Sequence, residues 1–214
     1  MKKKFILSVL LCLGLCLDYD ASAGDFSPVK DEKLFMQHYK SASGEIKTLE
    51  ADFTQEKEIV LLTNKLISHG RMIFRNDNRL KIEYLKPNIF IFSMQSGKVT
   101  IKDGDRAASS ISTKNNKLFE QISQITLHAI NGKIFDSKDF NSTVLEDETS
   151  YLIVLIPKSK ELKQYYKELD LYIGKKTFLI EKMAMKEVSG DESVMNFKNI
   201  KINNEIPDEA FIVD

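Results

Sequence analysis

The stretch Gly70-Arg71-Met72-Ile73-Phe74-Arg75, Asn76-Asp77-Asn78, Arg79-Leu80-Lys81-Ile82-Glu83-Tyr84 decides the fold. Leu80, Ile82 and Tyr84 alternate with Arg79, Lys81 and Glu83, the period of a strand with one apolar and one wet face. Asn76-Asp77-Asn78 is a turn by composition, because these side chains bond to the local backbone and tolerate unusual dihedrals. Upstream, Leu49, Ala51, Phe53 and Gln55 alternate with Glu50, Asp52, Thr54 and Glu56. Downstream, Pro87 breaks the run and a strand covers Ile89 to Met94. Gln95-Ser96-Gly97 turns into a strand from Lys98 to Lys102, and Asp103-Gly104 ends it. Short strands joined by tight turns predict an antiparallel meander.

The flanks change period. Leu34, Phe35, His38 and Tyr39 recur at three- and four-residue steps, predicting a helix from Asp31 to about Ser41, with Ser41 to Gly44 ending it. Leu118, Ile122, Ile125 and Ala129 predict a second helix, with Asn115 or Asn116 as its start and Gly132 as its end. Strands then resume over about 142–146, Tyr151 to Ile156, Glu168 to Ile173, Phe178 to Glu187 and Val194 to Ile202. The expected class is α+β and mainly antiparallel β: one sheet interrupted by a helix, with another helix in front.

The N-terminus reads as an export signal. Lys2, Lys3 and Lys4 precede an apolar run from Phe5 to Leu17, and Ala21-Ser22-Ala23 supplies a small-x-small cleavage site. The run falls short of the roughly 20 residues a membrane span needs. The reading is 1–23 signal peptide, cut after Ala23, and 24–214 a single domain. Cys12 and Cys16 leave with the signal, so disulfides, thiol catalysis and cysteine metal sites are excluded. Cys12 follows Leu11 and Cys16 follows Leu15, not the small residue that precedes a lipidated cysteine, so a soluble exported protein is expected. Removing 23 of the 214 residues leaves 191, and removing three lysines and two aspartates from 31 basic and 31 acidic residues leaves a net charge of −1. That balance offers no general attraction to nucleic acid.

Catalytic signatures are missing. His38, His69 and His128 are isolated and have no metal-ligand spacing. There is no nucleophile elbow or phosphate loop. Asp103 and Asp105, and the cluster Glu146-Asp147-Glu148, lack the ligand series of a calcium loop and read as solvated turns. What remains is the apolar strand face: Met72, Phe74, Leu80, Ile82, Tyr84, Phe90, Phe92, Met94, Val99 and Ile101. Such a face is either an ordinary core or a concave surface that accepts a lipid.

The ordered motifs carry a resemblance. Leu49-Glu50-Ala51-Asp52-Phe53-Thr54-Gln55, then Gly70 to Arg75, Leu80 to Tyr84, Pro87, Gly97-Lys98, and the closing Phe197-x-Asn199-Ile200 with Ile206-Pro207-Asp208-x-x-Phe211 resemble the periplasmic outer-membrane lipoprotein carrier family, LolA. The resemblance implies a strongly curved, unclosed β-barrel with helices covering its concave face. It implies a cavity for lipoprotein acyl chains lined by the ten residues above, under a lid formed by Leu118, Ile122, Ile125 and Ala129. It also implies a periplasmic carrier, with an inner-membrane ABC-type release complex as donor and an outer-membrane acceptor, acting as a monomer without cofactor or catalysis. The alternative is a lipid- or protein-binding sensor on the same half-barrel that does not transport. The chain departs from the family at Asn76 and Asp77, where a basic residue and proline are common, and at Ile82, where the family has tryptophan. Arg75 or Arg79 is the candidate replacement for the basic residue that bonds to the lid.

Overall fold

A computed structural model describes residues 26–95, 97–112 and 117–213, and the side chains of residue 111 and of residues 117–123 lie outside that description. The export signal and the candidate helix caps Asn115 and Asn116 therefore lie outside the described residues. The chain runs β1 (Ser27–Pro28), α1 (Glu32–Gly44), β2 (Thr48–Glu58), β3 (Leu66–Arg75), β4 (Arg79–Lys86), β5 (Phe90–Gln95), β6 (Lys98–Asp103) and β7 (Ser109–Ser112). It continues through α2 (Lys117–Ile130), β8 (Phe140–Glu146), β9 (Ser150–Pro157), α3 (Lys160–Lys163), β10 (Tyr166–Gly174), β11 (Ile180–Glu187) and β12 (Glu192–Ile202). All twelve described strands form one antiparallel sheet, in the order β1-β8-β9-β10-β11-β12-β2-β3-β4-β5-β6-β7. Its edges, β1 and β7, do not pair with each other, so the sheet is an unclosed half-barrel with helices on its inner face.

Two interior clusters fill the inner face. The first joins Phe35 and Tyr39 of α1 and Ile125 and Ala129 of α2 to β8–β10, through residues such as Ile153, Leu155, Leu169 and Leu171. The second joins Leu127 and Ile130 of α2 to β2–β6 and β12. One helix therefore seals both halves of the sheet. α1 starts where Asp31 accepts a bond from the Leu34 N–H at 2.9 Å, and it runs to Gly44, the last residue of the expected Ser41 to Gly44 stop. Phe35, Tyr39 and Ser43 are its buried stripe, and Ser43 packs beside Gly132 at the end of α2.

The outer face carries the C-terminal segment. A short 3-10 turn, Asp208–Phe211, lays Phe211 and Ile206 on Ile73. Phe211 is fully buried, a gain of about 1.5–3 kcal/mol. Beneath it Lys81, a residue whose alternation places it on the wet face, is buried as well. Its Nζ donates to the carbonyls of Ala210 (3.1 Å) and Ile212 (2.9 Å) and pairs with Glu83 at 2.7 Å. Ser93 Oγ donates to the Phe211 carbonyl at 2.7 Å.

This segment also corrects the expectation for Arg75 and Arg79. Both point away from the helices. Arg75 donates to the Ile206 carbonyl and to Asp208, Arg79 pairs with Asp208 at 2.9 Å, and both guanidiniums lie over the Phe211 ring. Strand alternation decides the matter: Arg75 and Arg79 share a face with Ile73 and Lys81, opposite Phe74 and Leu80. Neither can hold a lid on the inner face. Asp208 is held below its ordinary carboxylate range by the bonds from Arg75 and Arg79.

Candidate lipid-binding site

Register lays the apolar side chains of β3–β6 in rows across the inner face. Phe74, Leu80, Met94 and Val99 form one row, opposite one another on successive strands. Met72, Ile82, Phe92 and Ile101 form the next, and Tyr84 and Phe90 end the series beside Gly70. Burial falls along the series. The first row is fully buried, Met72 in the second is buried while its three neighbours are half-buried, and Tyr84 and Phe90 sit half-buried at the rim. The trough is thus packed solid at the end of the Asn76-Asp77-Asn78 turn and loosens toward the end where β2 turns into β3. At that loose end Phe53 packs edge-on to Tyr84 (5.1 Å), and Tyr84 edge-on to Phe90 (5.9 Å). Gly70 makes this packing possible: a Cβ there would lie 2.2 Å from the Glu83 carbonyl and 2.3 Å from the Phe53 ring.

Between the two halves of the sheet lies an apolar cavity of about 40 Å³. Its walls are Met72 and Ile82 from the first half, Leu171, Met183, Met195 and Phe197 from the second, and Tyr39, Ala129 and Ile130 from the helices. Of the strand residues singled out in the sequence, Met72 and Ile82 line this space. Phe74, Leu80, Met94 and Val99 are floor packing, Phe92 and Ile101 flank it, and Tyr84 and Phe90 are rim. Ala129 lines the cavity from α2, Ile125 faces the β8–β10 cluster instead, and the side chains of Leu118 and Ile122 lie outside the described residues. The sequence reading missed the second wall. Its signal was present, in the alternation of Leu169, Leu171 and Ile173 with Glu168, Asp170 and Tyr172, and in Met183 and Met185 between Lys182 and Lys186.

Among the described residues, polar bonds tie the helical cover to itself. Tyr39 donates its hydroxyl to the Ala129 carbonyl at 2.5 Å, joining α1 to α2. Lys40 pairs with Asp136 at 3.2 Å on the surface. Gly132 ends α2 with φ +72°, and a Cβ there would lie 2.9 Å from Ser43 Cβ. The helices therefore touch through a contact only glycine permits. Among the described residues no charged side chain lines the cavity. Burial pushes the Tyr39 phenol above its ordinary value and the Tyr84 phenol up to about 12, so both are neutral at physiological pH. A neutral apolar chamber can hold hydrocarbon. Among the described residues no group of three or more His, Cys, Asp or Glu is arranged to hold a metal ion, and no helix is long and apolar enough to cross a membrane.

Solved structures of similar fold include a LolA superfamily protein from Nitrosomonas europaea, 13% identical, covering 83% of this chain and 97% of that one with a TM-score of 0.43. A chain of the MucA/MucB complex of Pseudomonas aeruginosa is 11% identical, with 84% and 60% covered and a TM-score of 0.47. The lipoprotein LppX of Mycobacterium tuberculosis is 8% identical, with 81% and 97% covered and a TM-score of 0.43. No curated protein matches significantly in sequence. The family described as outer membrane lipoprotein carrier protein LolA matches residues 44–214, from the last residue of α1 through β12 and the outer-face segment. The chain belongs to the LolA family.

Proposed function

We propose that this chain is an exported carrier that takes lipoprotein acyl chains into the trough beneath α1 and α2 and ferries them through the periplasm. In this reading an inner-membrane ABC-type complex supplies the cargo and an outer-membrane acceptor removes it. No bond is made or broken, and no cofactor takes part. The observation that carries the reading is a continuous inner face of aliphatic, methionine and aromatic side chains, in a member of this family. Each methylene withdrawn from water contributes about 0.8 kcal/mol, so several acyl chains supply ample driving force.

In this reading the α1–α2 pair lifts on loading and widens the chamber. Lifting exposes Ile125, Leu127, Ala129 and Ile130, and incoming hydrocarbon replaces those contacts. The dense packing of Phe74, Leu80, Met94 and Val99 favours a second reading, a binding or sensing module whose chamber stays shut. Mass spectrometry of the natively purified protein separates the two: bound acyl chains or lipoprotein support the carrier, and an empty chamber with a bound peptide supports the sensor. Ile82→Asp should abolish uptake of an acylated peptide. Undiminished uptake by the folded variant would count against the site.

A further inference from the structure

We propose that one rim of the half-barrel is a membrane-docking surface, whose β2–β3 loop (59–65) dips its aliphatic tip into the hydrocarbon boundary of a phospholipid bilayer. Val60, Leu61 and Leu62 follow one another at the tip, 67%, 92% and 51% exposed. Leu66 and Ile67 continue the patch on β3. Register brings the ends of β4 and β5 and the β11–β12 turn to the same rim, where Leu85, Ile89 and Val188 are exposed too. The opposite rim carries Asn76-Asp77-Asn78, Asp147-Glu148-Thr149 and Lys175-Lys176-Thr177 instead. Most of the exposed large apolar side chains among the described residues are thus gathered at one end, more than chance scatter supplies.

The loop is a formed structure. Leu62 N–H donates to the Ile59 carbonyl at 2.8 Å, and Val60 N–H donates to Asp191 Oδ1 at 3.0 Å, bracing the tip on the β11–β12 turn. Three features favour a bilayer over a protein as occupant. The tip is purely aliphatic, whereas protein hot spots favour Trp, Tyr and Arg and under-use Leu and Val. The charges stand one step behind it, Lys65 paired with Glu58 at 2.6 Å and Lys57 with Glu187 at 2.7 Å, where headgroups would meet them. The inner trough loosens toward this same rim, past Tyr84 and Phe90, and an apolar groove between Leu66, Ile67, Tyr84 and Phe90 leads out from it. Because the flanking charges are paired, binding depends on aliphatic area and not on lipid charge.

The test uses the purified, unloaded protein, so its outcome is independent of the carrier reading. The protein is sedimented with vesicles of phosphatidylcholine, and of phosphatidylcholine with phosphatidylglycerol, at low and high salt. Wild type should partition onto both at either salt. Combined Val60→Ser, Leu61→Ser and Leu62→Ser should weaken partitioning by roughly tenfold or more. Leu34→Ser, an exposed apolar residue of α1 away from the rim, should leave it unchanged. The chain has no tryptophan, so Leu61→Trp supplies a single reporter whose emission should shift to the blue on adding vesicles. A wild type that stays in the supernatant, a triple variant that sediments equally, or unchanged Leu61→Trp emission overturns the proposal. So does a dimer that the triple variant dissolves, which would assign the rim to a second copy.

Discussion

Replacing Gly132 by alanine separates two costs that the structure keeps distinct. The first is conformational: φ is +72° at this position, and an alanine there costs roughly 1 kcal/mol. The second is steric. The new Cβ meets Ser43 Cβ at 2.9 Å and Lys40 Cα at 3.0 Å, both on α1 and one of them backbone, so the helices must part. Overpacking of this kind costs about 1–3 kcal/mol. Gly132→Ala should therefore destabilise the protein by about 2–4 kcal/mol. Gly104, in the β6–β7 turn, provides the control: its φ is +58°, but nothing lies within 4 Å of an added Cβ. Gly104→Ala should show the conformational cost alone, about 1 kcal/mol. Urea denaturation reads both, with equal slopes expected for the two variants. If lifting α1–α2 admits hydrocarbon, Gly132→Ala should also take up a fluorescent fatty acid faster than wild type, while Gly104→Ala should not. Equal destabilisation by the two substitutions would refute the close helix contact. A weakened Gly132→Ala protein with unchanged uptake would show that the α1–α2 packing does not gate the chamber.

Two further outcomes test the outer face. Lys81→Met should cost about 2–4 kcal/mol, because the Ala210 and Ile212 carbonyls lose a charged donor, and it should render residues 206–212 sensitive to limited proteolysis. Burial pushes the Asp170 carboxyl up to about 6, against the pull of Lys186, and its Oδ1 is buried without a partner. The unfolded chain loses that proton at lower pH, so stability falls as pH rises toward 6 and the penalty is complete above it. Asp170→Asn should accordingly raise the melting temperature more at pH values well above 6 than well below it. An identical gain at both would rule out the buried charge as its source.

Much of the half-barrel is legible in period-two alternation. The meander from β2 to β6 and the strands β8 to β12 follow from it, because each buries one face and wets the other. The edges are not legible in that way. β7 reads Ser109-Ser110-Ile111-Ser112, with one apolar residue and no pattern, and β1 is two residues long, too short for a period. Alternation also says which residues share a face, without saying what covers it. Arg75, Arg79 and Lys81 fall together correctly, yet the segment that buries Lys81 comes from residues 206–212, and no local rule brings it there. The site shows the same division. Met72 and Ile82 were legible as chamber lining, whereas Leu171, Met183, Met195 and Phe197 belong to it only because β12 returns to pair with β2.

That return has a consequence for biogenesis. The second strand of the chain finds one of its two neighbours, Glu192–Ile202, only after some 130 intervening residues have been made, as Glu58 opposite Glu192 shows. Pairings so distant in sequence form slowly. The half-barrel can have no joined centre until β12 arrives, so its two flanks stay separate until nearly the whole chain has been made.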